Sequence, residues 1–259
     1  MTGNRGKQMA VLGSMVFIYA LLAFGSYMIV PLEQFAVPGQ ITPNTLATMP
    51  RWQLAAVSAA SVIAIYGILA VVGFWFGSKL ELPPTYREGA GWRAWFVGPM
   101  ALGLGLGVVL VLVDQTLARL GSGQGFPHPA FPLSLFASGT AGIGEEILFR
   151  GFVMGLWAFL LKFLLKGANG RSAALWIGNV IGALAFSASH VPATMLLLNI
   201  TSPAQIPVPI LVELLVLNGL LGLVAGQRYM RDGLVAAIGV HFWADVLWHV
   251  IFPLTGLGV

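Results

Sequence analysis

Two adjacent glutamates and one arginine interrupt an otherwise apolar stretch of the sequence: Glu145, Glu146 and Arg150. If the stretch is helical, Glu146 and Arg150 are four residues apart and share one face, where their charges can pair. Glu145 is rotated by about 100° from Glu146 and points away from Arg150. We therefore expect Glu146 and Arg150 to support the site, and Glu145 to face a cavity as a general base. The alternative is a buried ion network that only braces the surrounding helices.

Three further polar side chains, His190, His241 and Asp245, also lie in apolar stretches. His241 and Asp245 are four residues apart, a spacing at which the carboxylate can fix the tautomer of the imidazole or share a metal ion with it. His190 stands at the end of its stretch, where a polar tip at the membrane surface is the simpler interpretation. With the two glutamates, these residues would supply a general base, a partner for an attacking water and donors for an oxyanion. That set is sufficient to hydrolyse a peptide bond without a covalent nucleophile.

The composition indicates that these residues are surrounded by lipid. Of 259 residues, 58% are hydrophobic and only 8% are charged, whereas soluble domains average about 25% charged residues. This composition excludes a soluble enzyme, a disordered chain and a nucleic-acid binder. Cysteine is absent, which excludes disulfides, thiolate metal ligands and a cysteine nucleophile. Ionisable side chains cost about 2.5–3.5 kcal/mol at the centre of a membrane helix, so those that occur there are candidates for function.

Seven stretches are long and apolar enough, or nearly so, to cross the hydrocarbon core, which takes about 20 residues of helix. We predict an all-α integral membrane protein, a polytopic bundle of about seven transmembrane helices. It forms one domain over residues 1–259, with the motif-bearing half at about 133–252. The predicted spans are Met9–Val30, Leu54–Gly77, Trp95–Val113, Leu133–Leu161, Ala173–His190, Val208–Gln227 and Leu234–Phe252.

Two segments need a separate interpretation. The first span is longer than the apolar region of a signal peptide, which has about 7–15 residues, so we interpret it as a retained anchor. The segment Met195–Pro209 is predicted to be a loop, a re-entrant piece or a broken extension of the fifth span.

The loop charges predict the orientation of the bundle. With the N-terminus inside, ten Lys and Arg residues lie in inner segments and only Arg51 and Arg119 lie in outer ones. This is a strong positive-inside bias. We therefore expect a cytoplasmic N-terminus and an outer C-terminus, in the plasma membrane of a bacterium.

Glycine spacing predicts close contacts between the helices. Small residues four positions apart allow two membrane helices to approach each other closely. Four such pairs occur in the predicted spans: Gly103/Gly107, Gly151/Gly155, Gly178/Gly182 and Gly222/Gly226.

Three classes of intramembrane protease do not fit the residues. A zinc enzyme of the HExxH type is excluded because the string is absent. An aspartyl protease needs two intramembrane aspartates, and Asp245 is the only one in the predicted spans. A rhomboid-like Ser/His dyad needs a GxSG string inside a span, whereas Gly121-Ser122-Gly123 falls in a polar loop.

The order of the motifs resembles that of the CPBP family, the group of CAAX prenyl endopeptidases and bacteriocin-immunity membrane proteases. Its motifs are EExxxR, then FxxxH, then HxxxN or HxxxD. Here they stand at Glu145-Glu146 with Arg150, at Phe186 with His190, and at His241 with Asp245. The resemblance covers about residues 139–249, which is under half of the chain.

The resemblance implies a glutamate-dependent intramembrane endopeptidase that cuts a membrane-associated or prenylated protein or peptide at the lipid bilayer, without a nucleic-acid partner. Carried over position by position, Glu145 would activate water and His190 would help to hold it. Glu146 and Arg150 would brace the site, and Phe186 would pack beside it.

The resemblance also implies that His241 and the residue at position 245 form the oxyanion hole. The most comparable members of that family have Asn at this position, although Asp also occurs, and an ionised Asp245 cannot donate a hydrogen bond to an oxyanion. Asp245 would then be protonated or would orient His241. We expect no cofactor, and the alternative is a zinc ion held by Glu145, His190, His241 and Asp245.

Two other functions stay open at the level of sequence. One is a non-catalytic membrane scaffold or immunity protein with the same fold, because fold alone does not prove function. The other is a proton-coupled transporter that uses Glu145, Glu146 and Glu213 as relay groups. Glu213 lies early in the sixth predicted span, where we expect it to be exposed at the membrane surface.

Overall fold

A computed structural model describes residues 5–30, 49–120, 126 and 128–257. The described part is helical, and it contains seven helices long and apolar enough to cross a membrane, which confirms the predicted fold class. They are α1 (Arg5–Ile29), α2 (Arg51–Lys79), α3 (Arg93–Leu120), α4 (Leu133–Leu164), α5 (Gly170–Leu196), α6 (Val208–Asp232) and α7 (Leu234–Leu254). The loop residues Gly121, Ser122 and Gly123 lie outside the described residues.

The helices begin and end where the sequence interrupts the apolar runs. Pro50 and Pro207 directly precede α2 and α6, and proline is favoured before or within the first helical turn because it lacks an N–H group. Gly233 separates α6 from α7 in a backbone conformation with φ 97°, which favours glycine. Large apolar side chains such as Ile68 and Leu184 point outward, 67% and 62% exposed, as expected for surfaces that face lipid.

The third helix is longer than predicted. The expected span ended at Val113, but α3 continues to Leu120, so Asp114 lies inside the helix. Its side chain is buried. The prediction that Asp245 is the only aspartate in a span is therefore wrong. The predicted span stopped just before Asp114, whereas packing against neighbouring helices shields this side chain from lipid.

The fifth helix is interrupted at His190. Its two helical segments are Gly170–Ser189 and Val191–Leu197. Pro192 stands in the first turn of the second segment. Backbone N–H groups in a first turn have no partner within the helix, so proline is tolerated there. Of the segment Met195–Pro209, residues 195–197 therefore end a broken extension of α5, and residues 198–207 form a loop with one 3-10 turn at Pro203–Gln205.

Helix α4 lies at the centre of the bundle, in contact with α1, α2, α5 and α7, and α7 also packs against α3 and α6. The glycine pairs lie at these contacts, as predicted. A Cβ atom at Gly103 would lie 2.5 Å from the Val240 carbonyl oxygen, so the backbones of α3 and α7 touch there. Gly107 also contacts α7. The other pairs contact neighbouring helices: Gly151/Gly155 contact α2, Gly178/Gly182 contact α4, and Gly222/Gly226 contact α5.

Two helices change their hydrogen-bond pattern beside the motif residues. Helix α4 is π-helical over Ile147–Met154, directly after Glu146. Helix α7 is π-helical over Val246–Ile251, directly after Asp245. Such wide turns are rare and frequent at functional sites, and here they follow the charged residues of two different helices.

Candidate active site

The two glutamates of α4 have different surroundings. Glu146 and Arg150 are fully buried, and the Arg150 Nε atom lies 3.2 Å from Glu146 Oε2, as their spacing predicts. The Glu145 side chain is 30% exposed. Glu145 is therefore the carboxylate of this pair that a water or substrate can reach.

His241 of α7 lies between the carboxylates of α4. Its Nδ1 atom is 2.9 Å from Glu146 Oε1, and its Nε2 atom is 3.7 Å from Glu145 Oε2 and 3.5 Å from Asp245 Oδ2. Since a carboxylate paired with arginine only accepts hydrogen bonds, Nδ1 carries a proton and Nε2 faces Glu145 and Asp245. The spacing of residues in α7 pointed to Asp245 as the partner of His241, but the shorter contact is to Glu146.

Phe186 of α5 is the apolar residue around which these groups are packed. It is fully buried, and its ring lies 4.7 Å from the Arg150 guanidinium carbon. Ring centroids are 5.3 Å apart between Phe186 and His241 and 4.8 Å apart between Phe186 and His190. The EExxxR, FxxxH and HxxxD residues thus meet around one aromatic ring.

His190 stands at the break in α5 and is half buried. Its Nδ1 atom lies 2.9 Å from the Phe186 carbonyl oxygen. A carbonyl only accepts, so Nδ1 donates and Nε2 keeps its lone pair. Among the described residues, no hydrogen bond or ion pair joins His190 directly to Glu145. The Phe186 ring contacts both His190 and His241.

The arrangement of the described site residues does not fit a bound metal ion. Over residues 5–30, 49–120, 126 and 128–257, no group of three or more His, Asp or Glu side chains is arranged to hold one. The four candidate ligands Glu145, His190, His241 and Asp245 therefore do not form such a group. His241 also directs one ring nitrogen to Glu146 instead.

Glu213 is buried, 5% exposed, so the expectation that it is exposed at the membrane surface is wrong. Its carboxyl group interacts with that of Asp114 on α3. Asp114 also accepts a hydrogen bond from the Phe126 backbone N–H at 2.7 Å. Asp114 and Glu213 thus form an acidic pair of their own, and Asp245 faces His241 instead.

One side chain beside the site belongs to no motif. Tyr19 of α1 lies against Gly144, the residue before Glu145. Neither its type nor its position in an apolar run distinguishes it from the other aromatic residues of that helix. Only the packing of α1 on α4 brings it to the site.

The family of the motif-bearing region follows from a comparison with known protein families. A family model described as "Rce1-like: Type II CAAX prenyl endopeptidase Rce1-like" matches residues 127–247. The matched range contains the three motifs, and α1, α2 and α3 precede it. No curated protein and no solved structure matches the chain.

Proposed function

Residues 127–247 form a domain of the Rce1-like CAAX prenyl endopeptidase family, as the order of the motifs predicted, and on this basis we propose that the protein is a glutamate-dependent intramembrane endopeptidase. Its substrate is a membrane-associated or prenylated protein or peptide, cut close to the bilayer. The proposal extends to an orientation with the N-terminus in the cytoplasm, which the loop charges favour.

The observation that carries the proposal is the difference in burial and pairing between the adjacent carboxylates of Glu145 and Glu146. The Glu146 carboxylate lies 3.2 Å from Arg150 Nε and 2.9 Å from His241 Nδ1. Glu145 is partly exposed. In the described part of the chain no ion pair within 4 Å joins it to an arginine or lysine, and Arg150 acts on it only through the longer-range attraction of its charge. A fixed, buried ion pair next to an accessible carboxylate is the arrangement that a general base requires, because the base must accept a proton while its surroundings stay in place.

The proposed reaction starts with a water molecule at Glu145. Glu145 takes a proton from the water as the water oxygen adds to the carbonyl carbon of the scissile peptide bond. The tetrahedral intermediate then collapses and its carbon–nitrogen bond breaks. The proton passes from Glu145 to the leaving nitrogen, which gives a free amine and a new carboxyl terminus.

His190 and His241 assist at opposite ends of this reaction. The free Nε2 lone pair of His190 accepts a hydrogen bond from the attacking water. In its doubly protonated form, His241 is held through Nδ1 by Glu146 and donates through Nε2 to the oxyanion. Asp245 acts through His241, whose Nε2 lies 3.5 Å away, and keeps the imidazole in orientation.

The test is cleavage of a fluorogenic prenylated peptide by the purified protein in liposomes. Glu145→Gln removes the base but keeps the size of the side chain, so kcat should fall by about 10²–10⁴-fold. The matched control is Glu81→Gln, because the Glu81 side chain is 83% exposed and lies outside the site. Its kcat should stay within about twofold of the unsubstituted value.

Retained cleavage by Glu145→Gln would overturn the assignment. The scaffold or immunity alternative predicts a different result in the host, where Glu145→Gln would complement a deletion as well as the unsubstituted protein does. Uptake of protons with a solute by liposomes containing the protein would instead support the transporter.

A further inference from the structure

Tyr19 brings the first helix of the bundle to the candidate active site. A Cβ atom at Gly144 would lie 2.6 Å from Cζ of Tyr19 and 2.7 Å from its hydroxyl oxygen. Only glycine therefore lets the phenol approach α4 at this position. Since Gly144 directly precedes Glu145, the hydroxyl lies at the edge of the site, where it interacts electrostatically with the Glu145 carboxylate.

Tyr66 of α2 supports the Tyr19 ring from the neighbouring helix. The ring centroids are 4.8 Å apart and the planes are at 83°, the edge-to-face arrangement that aromatic pairs favour. The two side chains also interact through their hydroxyl groups. Both are half buried. A phenol that is packed on its ring and polar at its tip is suited to donate a hydrogen bond.

The Glu145 carboxylate needs such a donor. Its Oε2 atom is buried and has no hydrogen-bond partner among the described residues. The nearest ring nitrogen of His241 is 3.7 Å away, which is too far for a hydrogen bond. A general base on a flexible side chain has to be held in orientation, and partners of this kind normally do so.

We propose that Tyr19 is a positioning residue for Glu145: its hydroxyl accepts a hydrogen bond from the Tyr66 hydroxyl and donates its single proton to the Glu145 carboxylate in the substrate complex. Tyr66 holds the Tyr19 ring in place. The inference rests on the proposed function. It makes α1 and α2, which precede the family domain, part of the machinery of the site.

The test compares two tyrosines of the same helix. Tyr19→Phe keeps the ring and its contact with Tyr66 but removes the hydroxyl. We expect kcat to fall about tenfold, as for other partners that orient a reacting group, with KM and the melting temperature unchanged. The matched control is Tyr27→Phe, because Tyr27 is 39% exposed, and its kcat and KM should not change.

A second comparison separates positioning from a structural role. If Tyr19 acts only through Glu145, Tyr19→Phe should cause no further loss of kcat in a Glu145→Asp protein, where the carboxylate is already displaced. Tyr66→Phe should lower kcat about threefold by loosening the support of Tyr19.

Three results would contradict the inference. In the first, Tyr19→Phe has the same kcat and KM as Tyr27→Phe. In the second, it raises KM without lowering kcat. In the third, it lowers kcat by the same factor with and without Glu145→Asp. A different result tests the proposed function: if Glu145→Gln keeps full activity, the base itself is wrongly assigned, whatever Tyr19→Phe does. If Glu145→Gln is inactive and Tyr19→Phe is fully active, only the inference fails.

Discussion

Replacing Arg150 with methionine should destabilise the folded bundle by about 3 kcal/mol. The Arg150 and Glu146 side chains are fully buried and 3.2 Å apart, and the guanidinium also lies 4.7 Å from the Phe186 ring. Removing one partner of a buried ion pair costs about 3–5 kcal/mol because it leaves the other charge unpaired. Since His241 Nδ1 still contacts Glu146 at 2.9 Å, we expect the lower end of that range.

The assay is thermal unfolding in one detergent, followed by tryptophan fluorescence. The matched control is Arg171→Met. Arg171 also has a glutamate partner, Glu81, but the pair is 3.9 Å apart and its side chains are 50% and 83% exposed. Exposed pairs contribute at most about 1 kcal/mol, and Arg171 also donates hydrogen bonds to the Leu80 and Glu81 carbonyl oxygens. This control should therefore lose about 1–2 kcal/mol, clearly less than Arg150→Met.

The double variant Arg150→Met with Glu146→Gln decides between lost charge pairing and lost packing. It should recover most of the stability, because the glutamine leaves no unpaired charge. The reasoning is refuted if Arg150→Met unfolds at the same temperature as Arg171→Met. It is also refuted if the double variant is no more stable than Arg150→Met alone.

Three further outcomes follow from the described contacts. Glu213→Gln should stabilise the protein by about 1 kcal/mol and so raise its melting temperature, because an amide can donate to Asp114 where two carboxyl groups now face each other. A lower melting temperature would contradict this. Gly103→Ala should destabilise the folded protein by about 1–3 kcal/mol, because its Cβ would lie 2.5 Å from the Val240 carbonyl oxygen. The Cβ of the control Gly105→Ala meets nothing within 4 Å, so this variant should keep its stability. Equal melting temperatures of the two variants would show that α3 and α7 separate freely. Incubation with a strong chelator should leave peptide cleavage unchanged, and a loss restored by zinc would establish a metal-dependent mechanism.

Most of the fold could be predicted because the signals are local. A span is recognised from the length and apolarity of one continuous segment, and all seven were located to within a few residues of α1–α7 at most ends. The largest differences are at the ends of α3, α5 and α6, which continue past the predicted Val113, His190 and Gln227 to Leu120, Leu196 and Asp232. The hydropathy of a segment cannot show that another helix will cover a charged residue.

Part of the candidate site was equally local. The pairing of Glu146 with Arg150 follows from four-residue spacing within one helix, and the same geometry turns Glu145 away from that pair. The order of the three motifs was sufficient to identify the family of the domain at residues 127–247. Each of these properties belongs to a single segment or to the linear order of segments.

Only the tertiary structure decided which groups from different helices meet. It placed His241 closer to Glu146 than to Asp245 of its own helix, buried Glu213 against Asp114, and packed Tyr19 against Gly144 beside Glu145. The composition determined that lipid surrounds the chain, and the spacing within helices determined the local pairs. Contacts between residues far apart in the chain depend on how helices rotate and approach one another, which small residues such as Gly144 allow at particular positions.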